Sequence, residues 1–339
     1  MTVSHQRVLV TGAAGFLGSR IVGSYRASGA RVRAVGHRAR LPIAPFSADV
    51  EFIELDLSDR AAMFAACAGQ DLVIHAAAAT RDVGTGNQLR MEKINVEGTQ
   101  NVIDACRDNS VRLLHVSTTA AIGISADAAT PADEQFVFNL DRMGLTYNET
   151  KYRAEQLVLE ATSRGMDAVV VNPGVVFGAF GGDYRGASVI ERVRRARLVV
   201  CTGGGLSVVH VDDVVDGIRK AADTGVAGNR YILSGQNVTF RDIADTVCRV
   251  FEARKIVLSV PDAGRDLIAI VSGKLARSRG RPNLAMDHRY AYQFFDSDKA
   301  RRTLGYAPRP FAHIVADYRE HVVAATRTPP RDPIAKGGF

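Results

Sequence analysis

The 339-residue chain has no tryptophan and only four cysteines, Cys67, Cys106, Cys201 and Cys248. No two cysteines stand close enough to make a Cys-x-x-Cys or a metal knuckle, and no metal site is expected. All four fall in apolar segments, where reduced core thiols belong. Long apolar runs are also missing: stretches such as Leu267–Val271 are far too short to span a bilayer. The N-terminus enters a strand pattern at once, Arg7-Val-Leu-Val-Thr11, which leaves no room for a signal peptide. A cytoplasmic setting without a membrane partner is the expectation. Internal repeats are absent, which argues against a solenoid or propeller.

The charge balance leans basic, with 43 Lys and Arg against 36 Asp and Glu, a net +7. The cations cluster at Arg192, Arg194, Arg195 and Arg197, and again at Arg277, Arg279 and Arg281. Nucleic-acid binding pairs such clusters with aromatic platforms or a reading helix, and neither is visible, so no nucleic-acid partner is expected. A solvated face or an attraction for anionic small molecules fits better. With 46% hydrophobic and 23% charged residues, the chain can bury a sizeable core.

What is present is a rhythm. Short β-branched runs at Arg7–Thr11, Arg31–Val35, Val50–Leu55, Asp71–His75, Arg112–Ser117, Ala168–Asn172 and Arg230–Leu233 predict strands. Helical patterns at Gly15–Ser28, Asp59–Ala68, Met91–Asn109 and Leu145–Arg164 lie between them. This alternation predicts an α/β fold, a doubly wound parallel sheet of the Rossmann type. The strands are apolar on both faces, as a sheet covered by helices on both sides requires. The rhythm breaks after Asn172. The expected division is a dinucleotide-binding domain over 1–178, with 207–235 returning to it, and a smaller, mostly helical substrate-binding domain over 179–206 and 236–339.

The first strand runs into Thr11-Gly12-Ala13-Ala14-Gly15-Phe16-Leu17-Gly18. Three glycines in this spacing, where strand becomes helix, make a phosphate cradle. Gly12 permits the tight turn, Gly15 admits a pyrophosphate to the helix N-terminus, and Gly18 lets the helix pack close on the sheet. The second strand continues into Gly36-His37-Arg38-Ala39-Arg40, with no carboxylate before Asp49. His37 and Arg38 stand where a 2′-phosphate is met, although a solvated loop would read the same way. Tyr147 and Lys151 share a helix face four residues apart. Taken alone, the pair also fits a surface helix whose Tyr packs inward and whose Lys snorkels.

Together these pieces resemble the extended short-chain dehydrogenase/reductase family, part of the NAD-dependent epimerase/dehydratase superfamily, over nearly the whole chain. The matching segments are Thr11–Gly18, Asp56-Leu57, His75-Ala-Ala-Ala78, Asn95-Val-Glu-Gly-Thr99, Ser117-Thr118, Tyr147-x-x-x-Lys151, Asn172-Pro-Gly-Val-Val-Phe-Gly178 and Val209-His-Val-Asp-Asp213. The resemblance implies an NAD(P) cofactor. Gly12, Gly15, Phe16, Leu17 and Gly18 would cradle it. Asp56 and Leu57 would sit by the adenine, Ala76, Ala77 and Ala78 by the pyrophosphate and ribose. Asn95 joins that set, and Pro173, Gly174, Val175 and Val176 would hold the nicotinamide carboxamide. It also implies catalysis by Ser117, Tyr147 and Lys151. The ammonium would lower the phenol pKa and hold the nicotinamide ribose, and Tyr147 would pass a proton to or from the substrate oxygen. Thr118, Phe177 and Tyr184 are the expected substrate contacts. His210 to Asp213 looks structural, with Asp212 or Asp213 capping the next helix. A homodimer through helices that include the Tyr-x-x-x-Lys helix is compatible with the family.

Within the family, the segment Asn172–Gly178 and the tail Phe295–Tyr306 look like the dihydroflavonol-reductase-like branch. That branch includes a bacterial group named as hopanoid-associated sugar epimerases. The Arg-Asp-Phe that sugar-nucleotide enzymes often carry before Val-Asp-Asp is replaced by Gly203-Gly-Gly-Leu-Ser-Val-Val-His210, and no acidic pair follows Ser117. Phe136, Phe138, Phe177, Phe180 and Tyr184, with Gly181, Gly182 and Gly186, suit an apolar or planar ligand. The expected activity is NADP-dependent reduction of a ketone or aldehyde on a small, moderately apolar molecule. The alternatives are a nucleotide-sugar epimerase or dehydratase with bound NAD, and a nucleotide-sensing regulator on the same fold.

Overall fold

The computed structural model describes residues 6–36, 50–80, 87–125, 128–141, 143–180, 183–201, 203–260 and 292–327. Six strands lead: β1 (Arg7–Thr11), β2 (Arg31–Gly36), β3 (Glu51–Glu54), β4 (Leu72–His75), β5 (Arg112–Val116) and β6 (Ala168–Pro173). Then come β7 (Val175–Phe180), β8 (Asp183–Arg185), β9 (Leu198–Cys201), β10 (Gly205–His210), β11 (Arg230–Leu233), β12 (Gln236–Thr239), β13 (Ile256–Ser259) and β14 (Tyr292–Gln293). A seven-stranded sheet runs in the order β11-β6-β5-β4-β1-β2-β3, and all its pairs are parallel. The chain winds outward from β1 through β2 in one direction and through β4 in the other. Between β1 and β4 the order reverses, and a crevice for ligands opens at the carboxyl ends of the strands.

The period-2 alternation of the strands decides which helices they meet. Val8, Val10, Leu72, Ile74, Leu114, Val169 and Val171 face one core, where Ile21, Val22 and Tyr25 of α1 (Phe16–Ala27) and Val214, Val215 and Ile218 pack. Their neighbours Leu9, Val73, Leu113, Ala168 and Val170 face the opposite core. That second core is closed by α2 (Arg60–Cys67), by α4 (Gly98–Asp108) and by Val158 of α5 (Thr146–Ser163). In it the buried Cys106, beside Cys67, is held well above its usual pKa and stays a thiol. Before α4, a short α3 (Asn87–Met91) passes into a π-helical turn, Glu92–Glu97. The helix expected over Met91–Asn109 therefore starts earlier and is wider in its middle.

A second sheet, β12-β10-β7-β8 with β14 on β10, stands beside the first, and β9 and β13 form a separate parallel pair. Around the second sheet lie α6 (Ser188–Arg195), α8 (Phe240–Val250) and the helix Phe311–Arg327, whereas the helix Asp298–Leu304 packs on the first core. These strands were not anticipated. They are short, glycine-interrupted and paired in both senses, so no single alternation marks them. Between the sheets, α7 (Val211–Thr224) packs on the first core. Its cap is His210, whose Nδ1 accepts from the Asp212 N–H at 3.2 Å. Asp213 instead pairs with Arg309 at 2.9 Å, so neither expected aspartate is the cap.

Candidate active site

The crevice begins at the glycine-rich turn. Gly12 has φ +67°, in the left-handed region, and a Cβ there would meet the Ala77 backbone at 2.7 Å. A Cβ on Gly18 would strike the Gly12 carbonyl oxygen at 2.1 Å. The two glycines thus let β1, α1 and the segment after β4 close up, and Gly15 is left exposed at the helix N-terminus. A cleft of about 480 Å³ follows, lined by Gly12, Gly15, Asp56, Leu57 and Ala76–Ala78. Small side chains and free helix-end N–H groups are what a dinucleotide needs, so these residues fit the cofactor. Phe16 and Leu17 open α1; the Phe16 ring meets Phe180 edge-on at 5.7 Å. His37 and Arg38 lie outside the described residues.

The cleft wall is held from beneath. His75 Nδ1 lies 2.7 Å from the Thr11 hydroxyl and Nε2 3.0 Å from the Thr99 hydroxyl. Thr11 Oγ1 also accepts from the Ala77 N–H at 3.3 Å. Burial pushes the His75 pKa down to about 3, so it acts as a neutral spacer. Asn95, in the π-helical turn, accepts from the Ala79 N–H at 2.7 Å and donates to the Ala79 carbonyl at 3.1 Å. It is 1% exposed. It therefore fixes the wall and does not face a ligand, a correction to its expected place among the cofactor contacts. A helix with a wide turn is a common device at functional sites.

At the carboxyl end of β5 the structure gathers Thr118, Tyr147 and Lys151. Thr118 is the side chain that acts on the Tyr147 phenol, holding its pKa down against burial. Lys151 is 3% exposed, and its Nζ donates to the Val116 carbonyl at 2.9 Å. Burial lowers its pKa to about 8, with the Glu155 charge opposing the fall. Two expectations change here. The ammonium was expected to lower the Tyr147 pKa, but burial of the ring raises it, and the opposing influence is the Thr118 side chain. Ser117 was expected to be the catalytic hydroxyl. Its Oγ is buried and unpartnered among the described residues. The side chain that acts on Tyr147 is that of Thr118, expected only as a substrate contact.

The remaining expected residues divide. Pro173 ends β6, and a Cβ on Gly174 would meet Ser234 Oγ at 2.5 Å and the Ser207 carbonyl at 2.7 Å, which fixes a close crossing of the two sheets. Val175 and Val176 follow at half-buried positions, paired to β10. Phe177 and Tyr184 are not substrate contacts in this structure. Phe177 is fully buried, edge-on to Phe311 at 6.2 Å. Tyr184 donates to Asp317 at 2.8 Å beneath the C-terminal helix. Phe138 stacks on Tyr152 at 4.2 Å, so most of the aromatic set serves packing. Sequence reading missed Arg90, Lys93 and Ile94, which line the cofactor cleft. It also missed Glu155 and Arg230, a buried pair at 2.8 Å. The helical spacing of Tyr147, Lys151 and Glu155 was the available signal.

The sequence model of the NAD dependent epimerase/dehydratase family matches residues 8–234. A protein of Stigmatella aurantiaca, named 4-hydroxy-2-methyl-3-oxo-4-farnesyl-3,4-dihydroquinoline-1-oxide ketoreductase, is 30% identical, over 89% of this chain and 92% of its own. Sterol demethylase protein B of Methylococcus capsulatus is 29% identical, over 92% of this chain and 98% of its own. The crystal structure of gox2253 superposes with a TM-score of 0.79 at 30% identity, covering 95% of this chain and 99% of that one. The chain thus belongs to the NAD dependent epimerase/dehydratase family, as an NAD(P)-dependent oxidoreductase of the extended short-chain dehydrogenase/reductase type.

Proposed function

We propose that the protein reduces a ketone or aldehyde on a small, moderately apolar molecule, with NADP as cofactor and Tyr147 as the acid. The observation that carries this reading is the gathering of Thr118, Tyr147 and the buried Lys151, whose Nζ donates to the Val116 carbonyl, at the carboxyl end of β5. When bound, the nicotinamide supplies the hydride. Tyr147 gives its hydroxyl proton to the carbonyl oxygen as that oxygen gains charge. A phenol kept protonated by burial is suited to that direction. The Thr118 side chain supports the phenolate that remains.

Several observations favour this over chemistry on a nucleotide sugar. A nucleoside diphosphate needs fixed cations, and the arginines of α6 are partly engaged: Glu191 accepts from Arg194 at 2.6 Å and also pairs with Arg195. These partners, with Tyr318, pull the Glu191 pKa down to about 2. The ketoreductase relative named above acts, by its name, on a farnesylated ring ketone, which supports an apolar carbonyl substrate. For the cofactor, the sequence places no carboxylate between β2 and Asp49 and puts Arg38 there instead. Arg90 and Lys93 add positive charge along the cleft. The test is calorimetry with NADPH, NADH, UDP and dTDP. Tighter binding of NADPH than NADH, without saturable micromolar binding of the diphosphates, is expected. UDP bound through Arg192, Arg194 or Arg195 would promote the epimerase reading.

A further inference from the structure

Tyr147, Lys151 and Glu155 stand at successive four-residue steps along α5, on one stripe of the helix. Glu155 has no exposed side-chain surface, and Arg230, from the edge strand β11, is 15% exposed. A fully buried carboxylate costs several kcal/mol unless every lone pair is used. Oε1 accepts from the Arg230 guanidinium at 2.8 Å. Oε2 accepts from Asn172 Nδ2 at 2.6 Å. The same Asn172 nitrogen donates to the Thr118 carbonyl at 3.0 Å. Arg230 also donates to the Glu134 carbonyl, which ties it to the segment before α5. A chain of bonds therefore runs from an ion pair at the sheet edge to the backbone of the residue that touches Tyr147.

The charges around Lys151 complete the picture. Tyr147 and Glu155 face it from its own helix, His75 from β4 and His115 from β5. Both histidines are buried and held neutral by burial, with the Lys151 charge adding to the effect. Glu155 is the anion that acts on Lys151. It is faced in turn by Arg230, with Glu134 and Lys299 beyond.

We propose that Glu155 is a positioning residue of the active site: through Asn172 it fixes the Thr118 backbone beside the Tyr147 hydroxyl, and from one helical turn away it supplies the counter-charge of Lys151. This rests on the reading of Thr118, Tyr147 and Lys151 as the reacting groups. A purely structural ion pair makes a different prediction, since removing either partner would then do similar damage and leave Lys151 alone.

The test is an NMR titration of lysine Nζ in the full chain, with the Lys151 resonance assigned by its loss in Lys151→Arg. Glu155→Gln is expected to move the Lys151 titration to lower pH by about one unit, whereas Arg230→Gln is expected not to lower it. Glu155→Gln leaves a guanidinium unpaired, so the double variant Glu155→Gln/Arg230→Gln, which removes the pair together, is measured beside it. A Lys151 titration lower than in Arg230→Gln supports the proposal. An unmoved Lys151 in whichever of the single and double Glu155→Gln variants folds overturns it, as does an equal shift in Arg230→Gln. The proposed reaction fails separately, if Tyr147→Phe keeps turning over.

Discussion

Three hydroxyls crowd the carboxyl end of β5, and the backbone decides which one works. β5 ends at Val116, Ser117 follows with its Oγ buried and unpartnered among the described residues, and Thr118 caps the short turn Thr119–Ala121. Thr118→Ala should lower the rate about ten- to a hundredfold, the scale of one lost charge-assisted hydrogen bond. Ser117→Ala should stay within a few-fold. Steady-state rates of the two variants check the assignment, and the reverse ranking would restore Ser117. Tyr147→Phe should cost about 10²–10⁴-fold, the usual worth of a positioned acid, while cofactor affinity stays within a few-fold. The types of these residues were legible in the sequence. Which hydroxyl faces the phenol was not, because it depends on the residue where strand geometry gives way to a turn.

Among the elements, β4 and β5 bring two histidines into the sheet. His75 and His115 are fully buried, with ring centroids 5.3 Å apart. The His75 nitrogens are satisfied, whereas neither His115 nitrogen has a partner among the described residues. Both pKa values are depressed by burial, His75 to about 3 and His115 well below the usual value. In the unfolded chain they take up protons near pH 6.5, and in the folded chain they do not. Stability is therefore full above about pH 6.5 and falls as the pH drops towards the folded values, by up to about 1.4 kcal/mol per pH unit for each histidine. Glu191, whose pKa is lowered to about 2, keeps its stabilising contribution above about pH 4.5 and loses it only below. Chemical denaturation between pH 4.5 and 6.5 reads the histidines against the opposing Glu134 carboxyl, whose pKa burial raises. His115→Leu should roughly halve the histidines' share of the slope there at little cost at neutral pH, and an unchanged slope would contradict the burial account.

The same scale shows where sequence reading ends. The strands of the large sheet announce themselves through apolar runs bounded by turns, and β11 spans the expected residues, Arg230–Leu233. The second sheet is built of pieces of two to six residues that gain their pairing only from distant chain, such as β10 between β7 and β12. Nothing local marks them. Phe177 and Tyr184 failed as substrate contacts for that reason: on such a strand, the face that meets the C-terminal helix cannot be known before the helix is placed.

At the scale of the whole molecule, a cofactor crevice at the switch point of the large sheet meets an acid-bearing helix, with a second sheet alongside. Among the described residues no helix is long and apolar enough to cross a membrane. Cofactor choice belongs to this scale because it is made by loops that the sheet brings together. Arg38→Ala should remove most of a preference for NADPH that is worth about ten- to a hundredfold, the contribution of one charge-assisted hydrogen bond. Calorimetry of both cofactors decides it, and equal affinities in the parent protein would refute the assignment. The central claim, that the protein reduces an apolar carbonyl with hydride from added cofactor and a proton from Tyr147, is tested most directly by following the absorbance of NADPH with a panel of apolar ketones and aldehydes. The account predicts stoichiometric loss of NADPH with the parent protein and none above background with Tyr147→Phe. Interconversion of a nucleotide sugar without net consumption of cofactor, or equal rates for the two proteins, would contradict it.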